Sequence, residues 1–226
     1  MTATLSVVIP VLNETSGIVV SLRALAPLAQ RGAQIIVADG GSTDGTADRA
    51  QASGPQLVRA ERGRALQMNA GALQATGEVL LFLHADTLLP PDADRLICQA
   101  LATGPQVWGR FDVRIDGHHW LLRVIALLMN LRSRRTGIAT GDQAMFMTRA
   151  AFDAVGGFPV QLLMEDIEMS RRLLRLSHPA CLRAQVLTSG RRWESCGVWQ
   201  TMLLMWRLRF AYWRGVAPER LAALYR

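Results

Sequence analysis

Two hydrophobic patterns alternate along this chain, and each predicts a different element. Three runs are continuously apolar: residues 5–11 (LSVVIPV), 34–38 (QIIVA) and 78–83 (EVLLFL). Continuity is what a parallel strand needs when helices cover both faces of its sheet. Between these runs apolar residues recur at helical spacing. Ile18, Leu22, Leu25 and Ala29 share one face, although Pro27 predicts that this helix kinks or ends early. Ser42-Thr43-Asp44 offers caps for a second helix that closes near Gly54. Residues 64–75 form a third, with Gly77 beyond it, and Pro91-Asp92 opens a fourth that ends before Gly104. This β-α-β-α order predicts an open α/β sheet.

The second half changes pattern. In residues 106–115 (QVWGRFDVRI), Val107, Phe111, Val113 and Ile115 face one way, and Trp108, Arg110, Asp112 and Arg114 the other. That alternation predicts an antiparallel or edge strand, and so a mixed sheet. Residues 119–131 read as a short apolar helix, followed by Arg132-Ser133-Arg134-Arg135. Gly141-Asp142-Gln143 precedes a short apolar run at 144–147, Gly156-Gly157-Phe158-Pro159 makes a turn, and Glu165-Asp166 starts a helix through Leu176. Acids in a first turn complement the helix dipole, which is the plain reading of that pair taken alone. Near the C-terminus, Trp199, Met202, Leu203, Trp206, Phe210 and Trp213 fall within an arc of about 100° on a helix. Arg207, Arg209 and Arg214 flank the arc, as on a helix lying on an anionic membrane surface. Leu204, Met205, Leu208 and Tyr212 lie opposite, so the same helix also has a face to bury.

Composition narrows the class. Of 226 residues 50% are hydrophobic and 19% charged, which excludes a disordered chain and allows one large domain. The expected division is residues 1–193 as the main domain, with a basic aromatic helical extension at 194–226 in the same structural unit. Cys98, Cys181 and Cys196 are odd in number and form no C-x-x-C pair, so a reducing, cytoplasmic compartment is expected. The first ten residues lack the features of a signal peptide. The longest uninterrupted apolar run near the middle, 124–131, is too short to span a bilayer. Every basic side chain other than histidine is arginine. Residues 1–118 carry 9 Arg against 11 acids, and residues 119–226 carry 16 against 7. So basic a second half suits a phosphorylated substrate, an anionic membrane or nucleic acid. No zinc finger, helix-turn-helix or aromatic RNA motif supports the last, and no nucleic-acid partner is expected.

The candidate chemistry sits where the three strands end. The first runs into Asn13-Glu14, the second into Asp39-Gly40-Gly41-Ser42, the third into His84-Ala85-Asp86. In open α/β sheets the ligand crevice lies outside the carboxyl ends of the strands. Acids gathered there repel one another unless a cation or a ligand's N–H groups offset them. The absence of G-x-G-x-x-G and of G-x-x-x-x-G-K-[ST] disfavours a dinucleotide site and a P-loop.

With those residues in place, the chain resembles the family 2 glycosyltransferases. The resemblance is carried by VVIPVLNE (7–14), VADGGSTDGT (37–46), GRALQMNAGA (63–72), HAD (84–86), GDQAMF (141–146), GGFP (156–159) and MEDIEMSRRL (164–173). It is similar in particular to a compact bacterial subgroup with an LHADT-type metal motif. The resemblance implies the GT-A fold, a mixed and mostly parallel α/β sheet flanked by helices, here with a C-terminal amphipathic segment. It implies inverting transfer of a sugar from a nucleotide-diphosphate donor, UDP-linked by default, to an acceptor hydroxyl. Pro10, Asn13, Glu14, Asp39, Arg64 and His84 are then the donor-binding candidates. Asp86 would hold a divalent cation, Mn²⁺ or Mg²⁺, which neutralises the leaving diphosphate. Asp166 matches the family's general base. Asp142, Gln143, Glu165, Arg192 and Trp193 would line the acceptor and diphosphate side, the last two from TSGRRW (188–193), which otherwise reads as an amphipathic loop. A lipid-linked acceptor and the inner face of an anionic plasma membrane are candidate partners. The usual D-x-D has His84 in its first position, which removes one charge and shifts the expected preference toward Mn²⁺. His84 also reads as a packing residue. Two other functions compete: a nucleotidyltransferase, which would carry a Gly- and Lys-rich loop where this chain has VLNE, and a non-catalytic, membrane-associated scaffold.

Overall fold

The computed structural model describes residues 4–225; residues 1–3 of the segment read as lacking a signal peptide lie outside them. Strands β1 (Leu5–Val11), β2 (Gln34–Asp39) and β4 (Val79–Phe82) are the three apolar runs. They pair in parallel, β1 lying between β2 and β4. The continuity of β1 has the anticipated cause. Val7, Ile9 and Val11 enter one core layer and Val8 the other, because helices cover both faces. The intervening helices are α1 (Ile18–Gln30), α2 (Thr46–Ala52), α3 (Arg64–Gln74) and α4 (Ala93–Ala102). Helix α3 lies so close to β1 that a Cβ on Gly71 would collide with Val8.

Pro27 does not end α1, which continues for three residues beyond it. Pro27 and Arg23 are both exposed, so water can satisfy the Arg23 carbonyl that proline leaves unpaired. A further parallel strand, β3 (Gln56–Arg59), forms one edge of the sheet beside β2. The short β5 (Thr87–Leu88) forms the other edge, in the order β3-β2-β1-β4-β7-β6-β8-β5, where β6 is Trp108–Asp116, β7 is Phe146–Thr148 and β8 is Ala180–Ser189.

The mixed half contains β6 (Trp108–Asp116), β7 (Phe146–Thr148) and β8 (Ala180–Ser189). β6 is antiparallel to β7, as its alternation suggested, but it is interior and not an edge, because β8 pairs along its other side. Arg110 on this strand is therefore fully buried. Its guanidinium pairs with Asp112 and donates to Ser133 Oγ (3.1 Å) and the Asn130 carbonyl (3.2 Å). Helix α5 (Leu121–Thr136) is longer than expected and takes in the basic run. Asn130 fastens it to β6 by accepting from Val113 N (2.9 Å) and donating to Val113 O (3.0 Å).

Helices α6 (Arg149–Ala154) and α7 (Glu165–Leu173) complete the second core layer, α7 stopping short of Leu176. TSGRRW is not a loop: Thr188 and Ser189 end β8, and Arg191–Ser195 forms the short helix α8. Helix α9 (Val198–Trp213) starts on the first core layer through Val198. It then meets α7 and α10 (Pro218–Tyr225) in a third cluster around Met164, Ile167, Leu208 and Leu221. Among the described residues no helix is long and apolar enough to cross a membrane.

Candidate active site

The carboxyl ends of β1 and β2 are tied together before any ligand is considered. Gln67, buried on α3, donates from Nε2 to the carbonyls of Val11 (2.6 Å) and Ala38 (3.0 Å). Asn13 has a positive φ of 56° and is committed to the neighbouring loop. Its N–H donates to Ser42 Oγ (2.9 Å) and its Oδ1 accepts from Thr43 N (2.9 Å). Asp39 is buried and accepts from the N–H groups of Gly41 and Ser42 (both 3.1 Å). Pro10 lies within β1 opposite Ala38. Asp44 accepts from Thr15 N (3.1 Å), Thr46 N (3.0 Å) and Thr46 Oγ1 (2.5 Å). The Thr46 hydroxyl is the largest of the influences that hold this carboxyl below its ordinary range.

The β8 end joins this rim. Ser189 N donates to the Asp86 carbonyl (3.2 Å), and Arg191 reaches Glu14 at 3.5 Å. The structure thus sets the segment after β8 beside Asp86. Arg192 is exposed and lies over the Tyr225 ring, 3.7 Å from its centroid, donating to the Tyr225 carbonyl at 2.8 Å. Trp193 is half-buried against the first core layer.

His84 links the rim to α7. Its Nδ1 is 3.3 Å from Asp142 Oδ1, and its ring lies so close under Gly141 that a Cβ there would collide with it. Burial works to raise the Asp142 carboxyl, but the hydrogen bond and charge of His84, with Arg64 beyond, hold it below its ordinary range. Gly141 N in turn donates to Asp166 Oδ2 (3.0 Å), while Ile167 N donates to Asp166 Oδ1 (2.7 Å). Glu165, 3% exposed, takes the Arg64 guanidinium at 3.4 Å. Arg64, His84, Gly141, Glu165 and Asp166 line one narrow cleft floored by Met68 and Phe158. Burial first, and the neighbouring Glu165 charge second, push Asp166 up to about 6, partly offset by its two backbone donors. Gln143 is fully buried and held by Thr140 N and Asn130 Oδ1, both at 3.3 Å, so it braces the loop.

Three further residues belong here that the sequence did not single out. Gln67 lies inside a quoted motif but is one amide among several. Arg132 stands in a run of basic residues; its Nε and Nη2 are enclosed without a hydrogen-bond partner. Burial lowers its pKa, while Asp166 acts in the opposite direction. Tyr225 comes to this region from the far end of the chain, and nothing local in its sequence marks it.

Asp86 is exposed, and its Oδ1 accepts from Thr87 Oγ1 at 3.5 Å. Among the described residues no three His, Cys, Asp or Glu side chains are grouped to hold a metal. One open carboxylate at a strand end is nonetheless suited to Mg²⁺ or Mn²⁺ of the kind that takes its remaining ligands from substrate phosphates and water.

The mixed, mostly parallel sheet flanked by helices is the GT-A fold. The chain belongs to glycosyl transferase family 2, whose model matches residues 6–155. It is 32% identical over 189 residues to the succinoglycan biosynthesis protein ExoA of Rhizobium meliloti, covering 74% of this chain and 57% of that protein. It is 35% identical over 150 residues to the undecaprenyl-phosphate 4-deoxy-4-formamido-L-arabinose transferase of Pectobacterium carotovorum, covering 61% and 45%. This chain therefore spans about half the length of these two relatives. Among solved structures it is similar to glucosyl-3-phosphoglycerate synthase from Mycobacterium tuberculosis in complex with Mn²⁺, UDP and glucosyl-3-phosphoglycerate. There the TM-score is 0.62 and the identity 22%, over 82% of this chain and 71% of that one.

Proposed function

We propose that this protein transfers a sugar, with inversion, from a nucleotide-diphosphate donor to an acceptor hydroxyl, with Asp166 as general base. The observation that supports this reading is the link from His84 through Gly141 to Asp166, which brings the end of β4 next to the α7 carboxylate. Each Asp166 oxygen receives one backbone N–H, which aims the carboxylate and leaves lone pairs for an incoming hydroxyl. A pKa near 6 keeps it ionised at neutral pH while raising its basicity over an ordinary aspartate. The acceptor oxygen forms the new bond to the anomeric carbon, its proton passes to Asp166, and the bond to the nucleoside diphosphate breaks on the opposite face.

Glu165 holds Arg64 at the cleft wall, where the guanidinium faces the leaving diphosphate. The enclosed guanidinium of Arg132, within electrostatic reach of Asp166, adds positive charge behind the base. Asp86 would hold the divalent cation, which when bound neutralises charge on the departing diphosphate. Asp39 and Glu14 meet the nucleoside, and Asp142 fixes His84. Arg192 and Trp193 face the acceptor side. The extension 194–226 belongs to the same unit, with α9 on a membrane that holds a lipid-linked acceptor. Support for that placement comes from the undecaprenyl-phosphate transferase relative and from the basic second half.

Release of nucleoside diphosphate from nucleotide sugars, with the product's anomeric configuration read by NMR, tests the reading. An inverted product is expected. A retained configuration, or cleavage to a nucleoside monophosphate, contradicts it.

A further inference from the structure

Helix α9 exposes the aromatic stripe that its sequence pattern outlined. Trp199, Leu203, Trp206, Phe210 and Trp213 are all more than half exposed, while Leu208 opposite is buried. A second stripe stands on α5. Trp120, just before the helix, and Val124, Leu127, Leu128 and Leu131 on it are exposed, Trp120 at 67%. Their spacing of four, three, one and three residues keeps them on one helical face. That face does not belong to the core, because Leu121, Leu122, Ile125, Ala126 and Met129 point inward from the same helix.

The two helices start from the same part of the fold. Val198 and Met202 at the start of α9, and Leu121, Leu122 and Ile125 of α5, all pack into the first core layer. His118 N, just before α5, donates to Glu194 Oε1 (2.7 Å), just before α9. Single exposed apolar residues are ordinary on any protein surface, but two helix-long stripes carrying four tryptophans, on helices whose starts are held together, are not.

We propose that α5 and α9 together form one docking surface for an anionic lipid bilayer. The charge pattern selects this occupant. Residues 117–141 contain four arginines and residues 195–218 three, and neither segment contains an acid; of these arginines, Arg132 is enclosed and Arg134 pairs with Asp112. Arg123 and Arg135 beside the α5 stripe and Arg207 and Arg214 beside the α9 stripe are exposed. Long basic side chains at the edge of an apolar face reach headgroups while the tryptophans occupy the interface. A second copy of this chain is disfavoured by the same pattern, since a two-fold interface would set each basic margin against its own kind. The surface is coupled to the cleft, because the inner side of α9 packs on Met164 and Ile167, which bracket Glu165 and Asp166. This rests on the proposed function only for what the docked enzyme would glycosylate; the surface itself stands on exposure and charge.

The experiment is co-sedimentation of the full chain with phosphatidylcholine vesicles, with and without phosphatidylglycerol. Metal-dependent nucleotide-sugar binding is measured on the same samples by calorimetry. Binding is expected only to the anionic vesicles and should weaken with salt. Each exposed arginine replaced by glutamine, for example Arg207→Gln, should cost about fivefold in partitioning. Trp120→Ala with Leu127→Ala, and Trp206→Ala with Trp213→Ala, should each weaken binding, and all four together should abolish it with donor binding kept. If the α5 pair has no effect, the two-helix surface is wrong. Equal recovery in the supernatant with and without anionic vesicles overturns membrane docking, as does a concentration-dependent dimer that the same substitutions dissolve and that does not bind vesicles. Loss of donor binding in the unmodified chain overturns the proposed function and leaves the docking result standing.

Discussion

Replacing Asp166 by asparagine separates chemistry from binding and from stability. The folded carboxyl titrates at about 6 against an ordinary value of 3.8, so its ionised form opposes folding. The sign follows from linkage: the penalty is full above pH 6, shrinks as pH falls toward 4, and is absent below that. At neutral pH it amounts to at most about 3 kcal/mol. Asparagine removes the charge but can accept from only one of the two N–H groups of Gly141 and Ile167, a loss of about 1 kcal/mol. Asp166→Asn should therefore be at least as stable as the parent, melting up to a few degrees higher in a chain of this size. Turnover should fall about 10²–10⁴-fold, or roughly 3–5 kcal/mol of transition-state stabilisation. Donor affinity should persist. The acid limb of the parent's kcat/KM profile, expected near pH 6, should disappear. The assay is steady-state release of nucleoside diphosphate between pH 5 and 8, with differential scanning fluorimetry on the same preparations. Normal turnover at saturating donor together with collapsed donor affinity would refute the base assignment and leave Asp166 a binding group.

Asp86→Asn should remove the metal dependence of nucleotide-sugar binding, read by calorimetry with and without Mn²⁺, at unchanged melting temperature because the side chain is exposed. Unchanged binding at low Mn²⁺ refutes it. Gly141→Ala drives a Cβ into the His84 ring and displaces the N–H that aims Asp166, so it should lower both stability, by about 1–3 kcal/mol, and turnover. Full activity in this variant would show that the His84–Gly141–Asp166 link does not matter. Arg132→Met removes a largely desolvated cation with two unpartnered nitrogens, so melting should rise by a few degrees while turnover falls at least about tenfold. A stabilised variant of undiminished activity would show that the Arg132 charge does not serve the reaction.

The elements legible in the sequence are those whose environment is uniform along their length. β1, β2 and β4 are buried on both faces and read as unbroken apolar runs. β8 is not legible: ACLRAQVLTS alternates only weakly, with Arg183 and Gln185 set among half-buried neighbours, and it gains its place by pairing with β6 and β5. β3 is short and only half-buried, so pairing with β2 outweighs its weak local pattern. Pro27 misleads because a missing N–H costs little where the freed carbonyl faces water. The acids of the candidate site stood out because polar residues that close an apolar strand contrast with the run before them, at the end of an open α/β sheet where ligands generally bind. Its braces were not. Gln67, Arg132 and Tyr225 matter through distance and enclosure, which residue identity does not carry. The exposed stripe on α5 was hidden for a related reason: a helix apolar on two sides looks merely buried until its neighbours show which side they cover.

The most direct test of the central claim is a thermal-shift panel of nucleotide sugars and plain nucleotides, each with and without Mn²⁺. A ligand at about 100 times its Kd stabilises by about 2.7 kcal/mol, or about 5–10 °C for this chain. The account predicts that one or a few nucleotide-diphosphate sugars give such a shift only with the divalent cation, and that Asp86→Asn abolishes it. No shift with any nucleotide sugar, or equal shifts with and without Mn²⁺, would contradict it.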